Sequence, residues 1–184
     1  MDVLEAIATR RSLPRLALPL PDDATLARCL ASAGQAPDHR LLRPWRYLVI
    51  QGQGLQALGE VFVSAVAATD PERAHAEAER LRAMPLRAPM IIAAVLSLKP
   101  HATVPEWEQW LSLGAGVQNL LLALHACGFA GMWRTGELAR SAVVDQALGL
   151  QPGECLGGFI YVGTPEAGKA APAAPDALWQ VWPA

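Results

Sequence analysis

Leu111-Ser112-Leu113-Gly114-Ala115-Gly116-Val117-Gln118-Asn119-Leu120-Leu121-Leu122-Ala123-Leu124-His125-Ala126-Cys127 reads as the central helix of the fold. At about 3.6 residues per turn, Ser112, Ala115, Gly116, Asn119, Ala123 and Ala126 fall within roughly 100° of arc. That stripe of small residues lets another helix approach closely. Leu113, Val117, Leu120 and Leu124 form a bulky stripe beside it. A helix apolar around most of its circumference is surrounded by protein. Two readings stay open at this point: a core helix of a monomer, or a helix with one face against a second copy of the chain.

Outward from this helix, residues 91–98 and 156–162 read as buried strands, the second stopped by Gly163-Thr164-Pro165, and residues 47–50 as a further strand. Towards the N-terminus, Asp2 caps a short helix with Glu5 three residues on, and Leu4, Ile7 and Ala8 form its apolar side. A second helix runs from Asp22 or Asp23, with Leu26, Cys29, Leu30 and Ala33 on one face, to Gly34. Leu55, Leu58, Phe62, Ala65 and Val66 recur at helical spacing, and Pro71 starts a more polar helix. Helices alternating loosely with few strands give an α+β class, with a small sheet flanked by helices.

The chain has 184 residues, enough for one domain with a real core, and is 52% hydrophobic. With 15 Lys+Arg against 17 Asp+Glu its net charge is -2, which offers no basic face and argues against nucleic acid as a partner. The apolar run at residues 90–96 is strand-length, so no membrane span is expected, and no signal-peptide pattern opens the chain. Cys29, Cys127 and Cys155 stand apart and are odd in number; they read as buried small residues in a reducing, cytoplasmic setting. The four histidines are equally scattered, so no metal site is expected.

Three clusters carry chemistry. Arg10-Arg11-Ser12 ends the first helix, and two planar guanidinium forks beside a hydroxyl suit a phosphate monoester. The same arginines also suit the negative end of a helix dipole. In Gly128-Phe129-Ala130-Gly131-Met132-Trp133-Arg134-Thr135-Gly136, glycines around a Met-Trp pair let backbone approach a flat ligand closely, or simply surround a buried strand with a core tryptophan. Gln35-Ala36-Pro37-Asp38-His39 is a polar loop. A glycine turn at residues 52–57 matches a dinucleotide fingerprint but lacks the acidic residue at the end of a second strand that would hold the ribose. No nucleophile elbow and no paired carboxylates are present. Any catalysis would then rest on a cofactor rather than on a side chain.

In this order, Arg10-Arg11-Ser12, Ala36-Pro37-Asp38-His39 with Pro44-Trp45, Arg87-Ala88-Pro89-Met90-Ile91-Ile92, the small-residue helix, Gly131 to Gly136 and Gly158 to Pro165 resemble the nitroreductase family, in particular its short-chain bacterial subgroup. The resemblance implies an intertwined homodimer with FMN at each of two interface sites. Residues 1–165 would form the FMN-binding domain, and 166–184 an extension, bearing Trp179 and Trp182, that packs on the dimer. It implies that Arg10, Arg11 and Ser12 hold the FMN phosphate and that Gly131, Met132 and Trp133 lie along the isoalloxazine, with Arg134 offsetting negative charge there. Gln35, Pro37 and His39 would reach in from the other subunit. Activity would be hydride transfer from NAD(P)H through flavin N5 to a nitroaromatic, a quinone or a similar small acceptor, with no side-chain catalyst. The alternative of the same fold is a protein that stores or senses FMN. The chain departs from the family pattern in carrying Gln35 where the subgroup often has arginine, in lacking the lid insertion, and in lacking the basic residues that longer members carry near the C-terminus.

Overall fold

The computed structural model describes residues 1–170 and 178–182. Seven helices and five strands follow one another as α1 (Val3–Thr9), β1 (Leu16–Ala17), α2 (Asp23–Ala33), β2 (Trp45–Gln51), α3 (Gln53–Ala67), α4 (Pro71–Ala76), α5 (Ala78–Ala83), β3 (Met90–Ser97), α6 (Glu106–Ala126), β4 (Ala130–Arg134), α7 (Ala142–Ala147) and β5 (Glu154–Pro165) among the described residues. The class is α+β: every strand pair is antiparallel, in the order β1-β5-β3-β2 with β4 also on β5.

β3 is buried on both faces, which is why its sequence is a continuous apolar run. Ile91, Ala93 and Val95 face a core formed with α3, including Phe62 edge-on to Phe159 at 5.5 Å. Met90, Ile92, Ala94 and Leu96 face the opposite core, where α2 and α6 contribute Cys29, Ala33, Leu113, Val117, Leu120 and Leu124. The sheet is thus the middle of three layers.

The caps follow elementary rules. Asp2 accepts from the backbone N–H of Glu5, Asp22 from that of Thr25 and Asp70 from that of Arg73. The polar helix expected from Pro71 breaks at Glu77 into α4 and α5. Gly52, at φ +56, turns β2 directly into α3, so the glycine turn serves chain reversal.

β5 organises the far side of the sheet. One edge pairs with β3 and the other with β4, opposite Phe159 to Gly163, while β1 pairs with Thr164 and Pro165 beyond them. β1 and the start of β4 thus pair with neighbouring residues near the end of β5, Thr164 and Gly163. Gly163 permits this junction: a Cβ there would stand 2.8 Å from the Ala17 carbonyl oxygen and 3.0 Å from Leu16 Cβ.

The small-residue stripe of α6 is covered in part within the chain, by α2 and the segment that follows it. Ser112 Oγ donates to the Pro37 carbonyl at 2.6 Å, Asn119 Nδ2 donates to Ser32 O at 3.3 Å, and a Cβ on Gly116 would lie 3.0 Å from Ala33 O. A further open face of α6 carries Trp107, Trp110 and Leu111. One expectation needs correction: the cysteines are not all buried, since Cys29 is buried, Cys155 half-buried and Cys127 exposed. Residues 171–177 and 183–184 of the expected extension lie outside the described residues; Trp179 and Trp182 are exposed on the single chain.

Candidate functional site

The helix α1 ends at Arg10, whose backbone N–H closes the last turn on Ala6 O at 2.9 Å. Arg11 folds back on that end: its Nη1 donates to Ala8 O at 2.7 Å and to Arg10 O at 2.8 Å. The helix-end role open to these arginines in the sequence thus belongs to Arg11. Arg10 Nη1 donates to Ser12 Oγ at 3.4 Å, a loose contact that leaves both groups with capacity for a ligand. Arg11 Nε is buried without a partner. A buried guanidinium N–H that lacks an acceptor is costly, and a bound anion is one way to satisfy it.

Beside this segment lies a cavity of about 500 Å³, lined by Arg11, Leu13, His125, Phe129, Ala130 and Lys169 among others. It brings the arginine segment to the start of β4. His125 Nε2 and Thr9 Oγ1 are 2.8 Å apart, tying the end of α6 to the end of α1. Lys169 adds a cation to this lining that the sequence analysis did not single out; its signal is only a single lysine after the last strand.

Along β4, Gly131 is buried, Met132 half-buried and Trp133 exposed. Trp133 is therefore not the core tryptophan that a buried strand would carry. A Cβ on Gly131 would meet Leu121 Cδ2 at 2.5 Å, so close packing on α6 requires that glycine. The Trp133 indole is fixed by a β-bulge: Ala94 pairs with Gly158 but Val95 with Leu156, leaving Gly157 as the extra residue. Its carbonyl accepts from Trp133 Nε1 at 3.1 Å. The Arg134 guanidinium sits 5.2 Å from the centre of the Tyr161 ring, and its Nε is buried without a partner. Burial, opposed by the charges of Arg134 and Arg87, holds the Tyr161 hydroxyl above the usual phenol range.

A second cavity, about 540 Å³, opens where β4 ends, and Trp110, Thr135, Arg140, Asp145 and Cys155 are among its lining residues. Burial pushes the Asp145 carboxyl up, and its Oδ1 has no partner. Sequence reasoning missed this cavity, because its residues come from five segments with no shared spacing.

The Gln35-to-His39 loop stands apart from both cavities. Gln35 lines a groove with Val3, Ala6, Asn119 and Ala123, between α1 and α6. His39 Nδ1 and Glu108 Oε2 are 2.7 Å apart, joining the loop to the start of α6. Arg40, Leu41 and Arg43 all adopt positive φ, a strained run held in part by Asp38 Oδ2 accepting from the Arg43 N–H at 2.6 Å. Among the described residues no hydrogen bond or ion pair links this loop to residues 10–12 or 131–134. Within one chain, then, Arg11 shares a cavity with Ala130 at the start of β4, residues 131–134 run on along that strand, and the 35–39 loop lines neither cavity.

Among the described residues, no helix is long and apolar enough to cross a membrane, and no cluster of His, Cys, Asp or Glu could hold a metal ion.

Comparison with known proteins agrees with this layout. The Nitroreductase family model matches residues 7–164. YdjA of Escherichia coli (strain K12), named as a candidate NAD(P)H nitroreductase, is 39% identical over 167 residues, 90% of each chain. A nitroreductase-like family protein from Bacillus cereus superposes with a TM-score of 0.84 at 22% identity, covering 95% of this chain and 91% of that one. A structure from Desulfovibrio desulfuricans, described as a candidate nitroreductase in complex with FMN, gives a TM-score of 0.76 at 24% identity over 100% and 99% of the two chains. With the three-layer fold, the arginine segment beside β4 and a family match spanning nearly the whole described sheet, the chain belongs to the nitroreductase family of oxidoreductases.

Proposed function

We propose that the chain is a cytoplasmic FMN-dependent oxidoreductase that passes hydride from NAD(P)H to a nitroaromatic, a quinone or a similar small acceptor, and that it works as a homodimer. The observation that carries this reading is the cavity lined by Arg11 and Leu13 on one side and Phe129 and Ala130, at the start of β4, on the other. Residues there suit FMN: Arg11 has a buried donor without an acceptor, Lys169 adds positive charge to the same cavity, and Trp133 presents an exposed ring surface.

In this reading Arg10, Arg11 and Ser12 bind the phosphate by charge-assisted hydrogen bonds. The backbone of Gly131, Met132 and Trp133 runs along the flavin ring, and Arg134 offsets negative charge on it. The chemistry that bound FMN supplies is two-electron transfer at its N5. The protein's residues orient it and exclude water; none has to move a proton.

Gln35, Pro37 and His39 complete the site from the second subunit. That assignment is supported by their separation from residues 10–12 and 131–134 within one chain, and by the open face of α6. Trp107, Trp110 and Leu111 there are costly to leave in water and lie next to the His39–Glu108 contact. Leu178, Trp179, Val181 and Trp182 are exposed on the single chain and would pack on the partner.

The test is the visible spectrum of the purified protein, with the released cofactor identified after denaturation, followed by anaerobic addition of NAD(P)H. Bound FMN that bleaches and is reoxidised by a quinone is the expected result. Bound FMN that does not bleach would favour storage or sensing. A protein that stays colourless when incubated with FMN would overturn the reading.

A further inference from the structure

The cavity where β4 ends holds two charged side chains that the flavin reading leaves unused. Asp145, on α7, contributes a carboxyl group whose Oδ1 is buried without a hydrogen-bond partner. Burial alone pushes that carboxyl up, so no cation of the chain offsets it. Arg140, at the end of the single 3-10 turn Glu137–Arg140, lines the same cavity and is exposed. Among the described residues no carboxylate pairs with its guanidinium, Asp145 included. Trp110 of α6, 40% exposed, supplies a flat wall, and Ala139 and Leu156 add apolar surface.

These walls specify a ligand. A cavity of about 540 Å³ takes a small organic molecule. An aromatic ring stacks on the Trp110 indole. An N–H or O–H group satisfies the buried acceptor of Asp145, which is costly to leave without a donor. The Arg140 fork matches a carboxylate in two parallel hydrogen bonds. The buried acceptor and the exposed cation also set a direction, with the donor end of the ligand inward and its anionic end at the mouth. A zwitterionic amino acid suits the site poorly. Its two charges sit on one carbon, whereas Arg140 and Asp145 stand too far apart to form an ion pair with each other.

We propose that this cavity binds a flat aromatic carboxylate that carries an N–H or O–H donor across the ring, with Arg140 on the carboxylate, Asp145 on the donor and Trp110 on the ring face. Occupancy would be felt at β4, because Gly157, which lines the cavity, also accepts the hydrogen bond of the Trp133 indole.

The inference does not rest on the flavin reading, since none of these residues is among those assigned to FMN. Full-length protein is titrated calorimetrically with para-aminobenzoate, para-aminobenzamide and benzoate, each with saturating FMN and without it. Para-aminobenzoate should bind in both conditions, and loss of either its charge or its donor should weaken binding by about tenfold. Arg140→Gln should abolish the preference for carboxylate over carboxamide and spare the preference for the amino group. Asp145→Ala should do the converse; should that variant fail to fold, benzoate against para-aminobenzoate on the wild type reads the same contact. Bound para-aminobenzoate should also slow alkylation of Cys155, which lines the cavity, and leave that of the exposed Cys127 unchanged. The proposal is overturned if no saturable binding is seen, if binding needs FMN, if Arg140→Gln weakens carboxylate and carboxamide alike, or if Cys155 is not protected.

Discussion

The indole nitrogen of Trp133 donates to the Gly157 carbonyl oxygen at the bulge in the β3–β5 register, and the space it needs exists because residue 158 has no side chain. Gly158 sits at φ +129, and a Cβ there would lie 2.6 Å from Trp133 Nε1 and 2.7 Å from Arg134 O. Backbone conformation and space both demand glycine. Gly158→Ala should therefore lower unfolding free energy by about 2–3 kcal/mol and displace the indole. Urea denaturation followed by tryptophan fluorescence measures both; an unchanged midpoint would show that the bulge relaxes freely.

The two arginines should separate on mutation. Arg11→Ala removes donors to Ala8 O and Arg10 O, and should cost about 0.5–1.5 kcal/mol of stability together with FMN affinity. Arg10→Ala removes no helix-end bond and should weaken FMN binding by about 1.5–3 kcal/mol with stability nearly unchanged. Flavin titration and thermal melts on the same samples distinguish the two. Unaltered FMN affinity in Arg10→Ala would take that residue out of the site.

Acid should loosen the sheet at one identifiable point. Arg46 grips Glu154 with Nε at 2.8 Å and Nη2 at 2.6 Å, and Ser97 Oγ and the Gln151 N–H donate to the same carboxylate at 2.6 and 2.9 Å. Hydrogen bonds from Arg46 foremost hold the carboxyl down from 4.5 to about 2. A folded-state value below the unfolded one means that the contribution is complete above the unfolded pKa and lost as pH falls from 4.5 through about 2. Stability measured by urea unfolding should fall across that window, and Glu154→Gln should be less stable at neutral pH with a flatter profile there. A Glu154→Gln profile parallel to that of wild type would contradict this.

The open face of α6 offers a direct handle on assembly. Trp107 and Leu111 are 61% and 64% exposed on the single chain. Trp107→Glu with Leu111→Glu should leave the chain folded, give monomers in sedimentation and release FMN. Monomers that retained FMN fully would remove Gln35 and His39 from the site.

Much of the architecture was legible because burial writes itself into periodicity. β3 reads as a strand from its unbroken apolar run, and α1 and α2 from their aspartate caps. The start of α6 was not legible: Glu106 to Trp110 carry charge and exposed tryptophan rather than a core stripe. The stripe of Ser112, Gly116 and Asn119 said that a helix comes close, but not which one. α2 and a second subunit leave the same small-residue signature, and only the tertiary path shows that α2 occupies part of it. The arginines and the β4 glycines were visible as clusters, yet their adjacency depends on β5, a strand remote from both.

The pairing of β1 with the end of β5 also sets an order of events during synthesis. Thr164 Oγ1 bonds the Pro19 carbonyl across 145 residues, and Leu16 and Ala17 find their strand partners only in Pro165 and Thr164. Arg10 to Ser12 leave the ribosome well before their anchor in β5 is made. A truncated chain cannot assemble this corner, so docking of the N-terminal segment certifies that translation has reached the final strand.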